Sequence, residues 1–453
     1  MESVNPINGQ IIKKFSPDTV ERVQQKLVQT EAAWHKWKET SFESRAELLK
    51  SIAAVLKKRK VELSRLMAEE MGKPVNSGIA EIEKCASVCE YYAQNAELFL
   101  KEEIIETDAT KSLVTFVPLG VILAVMPWNF PFWQVFRFLA PALMAGNGCL
   151  LKHASNVMGC GLAIENVIRE AGAPAAIFQT LVIGSDMVDQ VIEHPVVKAV
   201  TLTGSTEAGM KVAQKAGSVL KKVVLELGGS DAYIVLKDAD LELAAETCAE
   251  SRLINSGQSC IAAKRFIIIE AIEKEFTELF VEKMASKVMG DPMDEKTQLG
   301  PMARRDLRDQ VHEQVEKSIQ SGAKCLLGGT IPAGENAFYS PTVLAGVKKG
   351  MPAFDEEVFG PVAALVTAKN EDEAIQIAND SVFGLGAAVF TADLSRGEMI
   401  AKHKLNAGSC FVNALVKSDP RLPFGGIKHS GYGRELSSYG IKEFVNIKTV
   451  YIK

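Results

Sequence analysis

Apolar residues recur at helical spacing through the first hundred positions. "ERVQQKLVQTEAAWHKWKE" and "RAELLKSIAAVLKKRKVELSRLMAEEMGKP" each set an apolar stripe beside a charged face, which predicts two amphipathic helices. Gly72 and Pro74 punctuate the second. From about residue 119 the rhythm changes. "GVILAVMP", "GNGCLLKHA", "IFQTLVIG", "VKAVTLTG" and "KVVLELGG" are short apolar runs without polar alternation, separated by helical patterns such as "VMGCGLAIENVIREAG" and "STEAGMKVAQKAG". Such runs predict parallel strands covered on both faces, hence a doubly wound α/β domain that binds ligands beyond the carboxyl ends of its strands. A second α/β region follows, with "DAYIVL", "AAKRFIIIE", "GLGAAVFT" and "AGSCFVN" as strands and long helices between them.

Two late segments differ. "ALVKSDPRLPFGGIKHSGYGRE" is a long loop rich in Gly and Pro, and its aromatics predict order and a functional role. "FVNIKTVYIK" alternates like an edge strand, which invites pairing with another chain. The uncharged stretch from Ser112 to Phe136 is long enough to span a bilayer, but Pro118, Gly120, Pro127 and Pro131 interrupt it. It reads as buried strand, turn and helix start. No internal repeat is visible.

Composition narrows the class. A chain of 453 residues with 47% apolar and 24% charged residues suggests two or three soluble domains. The net charge of −5, with both signs interleaved, argues against a nucleic-acid surface and a polybasic membrane patch. Eight cysteines in this length are not a disulfide scaffold, and Cys85 and Cys89 have no second Cys/His pair at zinc spacing, so no metal site is expected. The N-terminal "MESVNPINGQII" has neither an apolar signal core nor an Arg/Ser-rich leader, so a reducing cytoplasm is expected.

Against this background one cysteine is unusual. "NSGQSC" places Cys260 at the end of a small polar loop between apolar segments. A buried structural thiol, a metal ligand and a nucleophile all remain open. "LELGG" puts Glu226 at a strand end before two glycines, either as a solvated carboxylate or as a general base. "PWNFP" holds Asn129 between prolines, either as a helix cap or as an oxyanion donor worth about 10²–10³ in rate. "LKHAS" ends a strand in Lys152, a surface lysine or a cofactor contact, and "TLTGSTEAG" sets Gly204-Ser205 where a helix N-terminus can meet phosphate. Cys260, Asn129 and Glu226 together supply nucleophile, oxyanion donor and base for a covalent thiol mechanism.

"PWNFP", "TLTGSTEAG", "LELGG", "NSGQSC", "DEEVFGPV" and "PFGGIKHSGYGRE", in this order, resemble the aldehyde dehydrogenase superfamily across essentially the whole chain. The resemblance implies that Cys260 attacks an aldehyde to give a thiohemiacetal, with the oxyanion held by the Asn129 side chain and the Cys260 backbone N–H. Hydride then passes to a nicotinamide ring, and Glu226 activates the water that hydrolyses the thioester. It also implies a cofactor domain over 1–100 and 119–228, a catalytic domain over 229–430, and oligomerisation strands in 101–118 and 431–453 that build a homodimer or homotetramer. A non-catalytic relative and a thiol hydrolase are the rival readings, and the latter is separated by whether turnover requires a dinucleotide.

For the cofactor, the resemblance assigns Lys152 to the adenosine ribose and Gly204-Ser205 to the pyrophosphate region. Glu357 and Phe359 match the positions that hold the nicotinamide ribose and ring, and Trp128, Thr203, Leu227 and Gly228 are counted among the cofactor-binding residues. NAD-preferring relatives often have Glu where this chain has Ser155. Ser155, with Lys152 and His153 nearby, suits the extra phosphate, so NADP is expected to be preferred over NAD. "LKHASN" and "VKSDPRLPFGG" are similar to the bacterial branch that oxidises succinate semialdehyde to succinate. Arg137, eight residues beyond Asn129 and expected on the same helix face, is a lone charge among apolar residues. It reads either as half of a structural salt bridge or, as the branch implies, as the group that captures the substrate's distal carboxylate, with Ser418 assisting. Glutarate semialdehyde or another small aliphatic aldehyde is the alternative substrate. Ala262 stands where some semialdehyde dehydrogenases have a second cysteine, so no local disulfide switch is expected.

Overall fold

The computed structural model describes residues 1–334 and 336–453. In its six-stranded sheet, Val121–Met126 lies centrally between Gly148–His153 and Val197–Thr203. Phe178–Thr180 continues one side, Lys222–Glu226 and Gly431–Tyr432 the other, and only the last strand is antiparallel. The chain builds one flank and then returns across Val121–Met126 to build the other. The strand order therefore reverses beside Met126, at the carboxyl ends where such sheets open a crevice.

The lack of polar alternation has a direct cause. Ile122, Ala124 and Met126 pack into one apolar cluster with the helices Phe42–Met71, Val75–Phe99 and Trp133–Met144. Val121 and Leu123 pack into another cluster with Leu27, Val200 and Val212. Both faces of the strand are thus covered.

A seven-stranded sheet repeats this arrangement, in the order Lys324–Leu327, Thr342–Ala345, Val362–Ala368, Arg265–Ile269, Ala232–Val235, Gly386–Phe390 and Ser409–Val412. Ile234 and Ile267 serve one of its cores, and Tyr233 and Phe266 the other. Only the edge strand Lys324–Leu327 runs antiparallel to its neighbour.

A third, antiparallel sheet joins Val445–Ile452 to Lys111–Pro118 in a continuous eight-residue register, with Glu103–Ile104 on the far edge. The terminal strand lies at the edge of this sheet, as its alternation predicts, with Ile447, Tyr451 and Ile452 exposed and only Val445 buried. The first hundred residues also contain a hairpin that the helical reading omits, Glu2–Val4 with Ile11–Lys14. Its second strand is wholly exposed, so it has no hydrophobic period to display.

One buried ion pair sets the helix on which the candidate site depends. The Glu81 carboxylate accepts the backbone N–H groups of Phe132 and Trp133 at 2.9 and 3.0 Å, at the start of the helix Trp133–Met144. It also pairs with Lys73, whose ammonium lies 3.9 Å from the Phe130 ring centroid. Removing one partner strands the other charge in the interior. Glu81→Ala is therefore expected to destabilise the protein by about 3–5 kcal/mol, read as a lower urea or thermal midpoint. An unchanged midpoint would show the pair to be dispensable.

Candidate active site

The "NSGQSC" loop is a strained turn. Asn255, Ser256 and Gly257 take φ of 53°, 56° and 77°, three left-handed residues in succession. For the first two this costs about 1–2 kcal/mol each. Asn255 Nδ2 donates to the carbonyls of Asn129 at 2.8 Å and Gln258 at 3.1 Å, and Ser256 Oγ donates to the Gly300 carbonyl at 3.0 Å. At 257 a Cβ would lie 2.3 Å from the Gly360 carbonyl, so only glycine fits. Arg252, fully buried, donates to the Gly257 carbonyl at 2.7 Å. Beyond the turn, Lys264 Nζ donates to the carbonyls of Ser259 at 2.9 Å and Cys260 at 2.6 Å. Small polar residues are needed here because the backbone, rather than the side chains, is what packs.

Of the eight cysteines, all free, five are buried, whereas Cys260 is partly exposed and lines a cavity of about 420 Å³. Burial pushes its thiol up to about 12, while Lys264 and Arg137 pull it back down. The resting sulfur is therefore protonated at neutral pH.

Asn129 is not a helix cap. The helix begins only at Trp133, and the Asn129 side chain donates instead to the Gln258 carbonyl at 3.1 Å. An amide nitrogen has two hydrogens, so a second remains to donate. The late start also removes the basis for placing Arg137 two helical turns from Asn129. The "NFPF" stretch is turn, and the two side chains approach the site from different elements.

Glu226 ends its strand with the side chain 2% exposed, and neither carboxylate oxygen has a protein hydrogen-bond partner. Burial and the neighbouring Glu435 raise it well above the ordinary carboxylate range, against the pull of Arg137 and Arg434. The late loop packs directly on it. A Cβ at Gly425, where φ is +153°, would lie 2.6 Å from Glu226 Oε1.

Arg137 is 1% exposed and makes an ion pair with Glu435. Its Nη2 donates to Thr203 Oγ1 at 3.3 Å, and its guanidinium carbon lies 4.6 Å from the Phe424 ring centroid. The structural salt bridge left open by the sequence is thus present, yet Arg137 still lines the same cavity as Cys260 and Ser418. Lys84 lines it too, donating to Ser418 Oγ at 2.7 Å.

The expected cofactor residues gather at the carboxyl ends of the six-stranded sheet and across from it. Glu357 Oε1 accepts the Gly229 N–H at 2.9 Å, and a Cβ at Gly228 would meet Glu357 Oε2 at 2.4 Å. Trp128 and Phe359 meet edge to face at 5.8 Å. Leu227 is buried against Gly209, and its N–H donates to the Ser430 carbonyl at 3.0 Å. Gly204 N–H donates to the Glu226 carbonyl at 3.0 Å, and Ser205 caps the helix Thr206–Ser218 through Ala208 N at 3.2 Å. A Cβ at Gly204 would meet only Leu202, at 3.5 Å, so that helix N-terminus opens onto free space.

Lys152 is half-buried, its ammonium depressed by burial, and it makes no ion pair among the described residues. Beside it Ser155 is exposed. An unspent cation, an exposed hydroxyl and a free helix N-terminus suit a dinucleotide with an added phosphate. His153 adds nothing to this charge. It is fully buried, its Nε2 lies 2.9 Å from the Pro131 carbonyl, and burial pushes it down to about 4, so it is neutral.

Several groups escaped the sequence reading. Lys264 and Arg265 are two adjacent cations at the head of an apolar strand, and the cost of burying a charge, the argument applied to Arg137, would have marked them. Glu435 lies inside a motif already singled out, but nothing local marks its partner. Lys84 sits on an amphipathic helix among other charges and gives no signal.

The aldehyde dehydrogenase family model matches residues 1–450. The succinate semialdehyde dehydrogenase [NAD(P)+] of Escherichia coli (strain K12) is 47% identical over 449 residues, covering 99% of this chain and 97% of the relative. A probable succinate-semialdehyde dehydrogenase [NADP(+)] of Synechocystis is 46% identical over 450 residues, covering 99% of each. Among solved structures, succinic semialdehyde dehydrogenase from Streptococcus pyogenes in complex with NADP+ superposes with a TM-score of 0.97 at 37% identity, covering 100% of this chain and 99% of that one.

Proposed function

The chain belongs to the aldehyde dehydrogenase family, and from that premise we propose that it oxidises succinate semialdehyde to succinate with NADP, or NAD, as acceptor. One observation supports this substrate above all. The partly exposed Cys260 shares a single cavity with buried or half-buried cations, so an aldehyde with a carboxylate at its other end has a partner for each end.

The chemistry follows from the side chains. Cys260 gives up its thiol proton to water as its sulfur adds to the aldehyde carbon, and the carbonyl π pair moves to the oxygen. The oxygen of the thiohemiacetal takes the charge and faces the spare N–H of Asn129. A bound NADP or NAD would supply the hydride acceptor for that carbon. Lys152 and Ser155 would hold its adenosine end, the turn at Gly204-Ser205 its phosphates, and Glu357, Phe359 and Trp128 its nicotinamide half. Glu226 then takes a proton from water, the hydroxide attacks the thioester, and succinate leaves as the Cys260 sulfur is released. Dicarboxylate product and nucleophile thus separate without a second protein nucleophile.

The edge strand Val445–Ile452, with Ile447, Tyr451 and Ile452 exposed, supports assembly into a homodimer or homotetramer. Among the described residues no helix is long and apolar enough to cross a membrane, and a cytoplasmic enzyme accords with that.

The test is steady-state turnover of succinate semialdehyde, following reduced cofactor, with NADP and NAD in parallel. Higher kcat/KM with NADP is expected. Negligible turnover with either cofactor, where butanal is oxidised well, would remove the semialdehyde assignment while leaving the family chemistry.

A further inference from the structure

One ammonium holds both peptides of the nucleophile. Lys264, 1% exposed, stands behind the turn whose Ser259 and Cys260 line the cavity. Its Nζ donates to the Ser259 carbonyl at 2.9 Å and to the Cys260 carbonyl at 2.6 Å. These carbonyls belong to the two peptide units that flank the Cys260 Cα. An ammonium has three hydrogens, and the third has Glu357 Oε1 before it at 3.5 Å. The lysine backbone is anchored as well. Its N–H donates to the Asp231 carbonyl at 3.0 Å, and its carbonyl accepts from the Ala364 N–H at 2.9 Å. A cation buried this fully is costly, which calls for a reason to keep it beside the reacting sulfur.

We propose that Lys264 is a positioning residue: by gripping the Ser259 carbonyl it turns the Cys260 N–H toward the substrate oxygen, and by gripping the Cys260 carbonyl it fixes the sulfur beside that N–H. This rests on the thiohemiacetal chemistry proposed above. The reason lies in the planarity of the peptide. A trans peptide points its C=O and its N–H in opposite directions. The Ser259 C=O faces Lys264 behind the turn, so the Cys260 N–H of the same unit faces away, on the cavity side. Among the described residues that N–H makes no hydrogen bond, so it is free to donate to an oxyanion. A cation on the carbonyl also polarises the amide, which strengthens the N–H as a donor in a low-dielectric interior. The Cys260 carbonyl is confined from a second side, since a Cβ at Gly229 would lie 2.8 Å from it. The Ala262 N–H reaches the Ser259 carbonyl too, at 3.2 Å, so without the lysine the peptide is loosened rather than released. Burial raises the Cys260 thiol, and Lys264 is the foremost charge drawing it back down. Burial lowers the Lys264 ammonium in turn, and Glu357 works against that.

The experiment compares two reactions of the same sulfur, at one pH and with NADP present. Oxidation of succinate semialdehyde passes through an oxyanion. Alkylation by iodoacetamide displaces iodide at a saturated carbon and forms none. Both need the sulfur deprotonated, so a change in the thiol itself cancels in the ratio of kcat/KM to the alkylation rate constant. Lys264→Met keeps the stem and removes the donors and the charge, and in it this ratio is expected to fall roughly 10–100-fold. Lys264→Gln keeps one neutral donor at shorter reach, and its ratio is expected to lie between those of K264M and the unmodified enzyme. If the thermal midpoint shows that K264M does not fold, K264Q alone decides. A ratio unchanged in the variants that fold overturns the proposal, since Lys264 then acts only on the thiol or on the turn as a whole. If the unmodified enzyme oxidises butanal and not the semialdehyde, the substrate assignment fails, and the same ratio read with butanal still decides the role of Lys264.

Discussion

Cys260→Ala should reduce kcat/KM for succinate semialdehyde by roughly 10⁴–10⁶-fold, with no slow recovery at higher substrate. The argument rests on where the sulfur stands. Of eight free cysteines, only Cys260 combines partial exposure with the wall of the large cavity. Burial holds its thiol at about 12, and Lys264 and Arg137 are the cations that draw it down. A sulfur protonated at rest becomes a nucleophile only as its proton is removed during reaction, and alanine offers neither sulfur nor proton. Cys260→Ser tests the same point more strictly, since an oxygen of similar size would fill the site but remain a far weaker nucleophile at neutral pH. The variants fold if the thermal midpoint holds. A C260A variant retaining a tenth of the activity would remove Cys260 from the mechanism.

Glu226→Gln should separate the two halves of the reaction. Glutamine keeps the shape but cannot take a proton from water. One equivalent of reduced cofactor per site is expected to form in a burst, followed by steady turnover lower by about 10²–10⁴-fold. Mass spectrometry should then find a succinyl group on Cys260. The sign of the pH dependence follows from the site. Burial and the Glu435 charge raise Glu226, so its acid form persists to higher pH and the base form appears only as pH rises. The rising limb of kcat should therefore lie well above the ordinary glutamate value of about 4.3. Loss of the burst together with turnover would make Glu226 a participant in acylation instead.

Much of the fold was legible because its cause is local. Runs such as "GVILAVMP" and "DAYIVL" lack alternation since each strand is covered on both faces, Ile122 by one core and Leu123 by the other, Ile234 and Tyr233 likewise. The hairpin at the N-terminus was not legible, since its second strand has no buried period, whereas the alternation of Val445–Ile452 already marked an edge strand.

The candidate site divides along the same line. The residue types and their order already grouped Cys260, Glu226 and Asn129, and the short "NSGQSC" stretch held its own explanation, a turn of three left-handed residues in which Gly257 cannot be replaced. The fate of each charge was a different matter. For Arg137 the sequence left a structural salt bridge and a free cation both open, and its partner Glu435 reaches it only after the late loop folds back. His153 looked like a helper for phosphate until its burial against Pro131 made it neutral. Lys84 gave no signal in the sequence, and its place in the cavity wall depends on how its helix packs on Trp133. Hydrophobic period and turn geometry are set by neighbours in the chain, so the sequence by itself determined most of the elements, the sheet class and the candidate reacting groups. Ion pairing is set by neighbours in space, and the cost of an unpaired buried charge is what commits one cation and leaves another free. Only the tertiary structure could decide that.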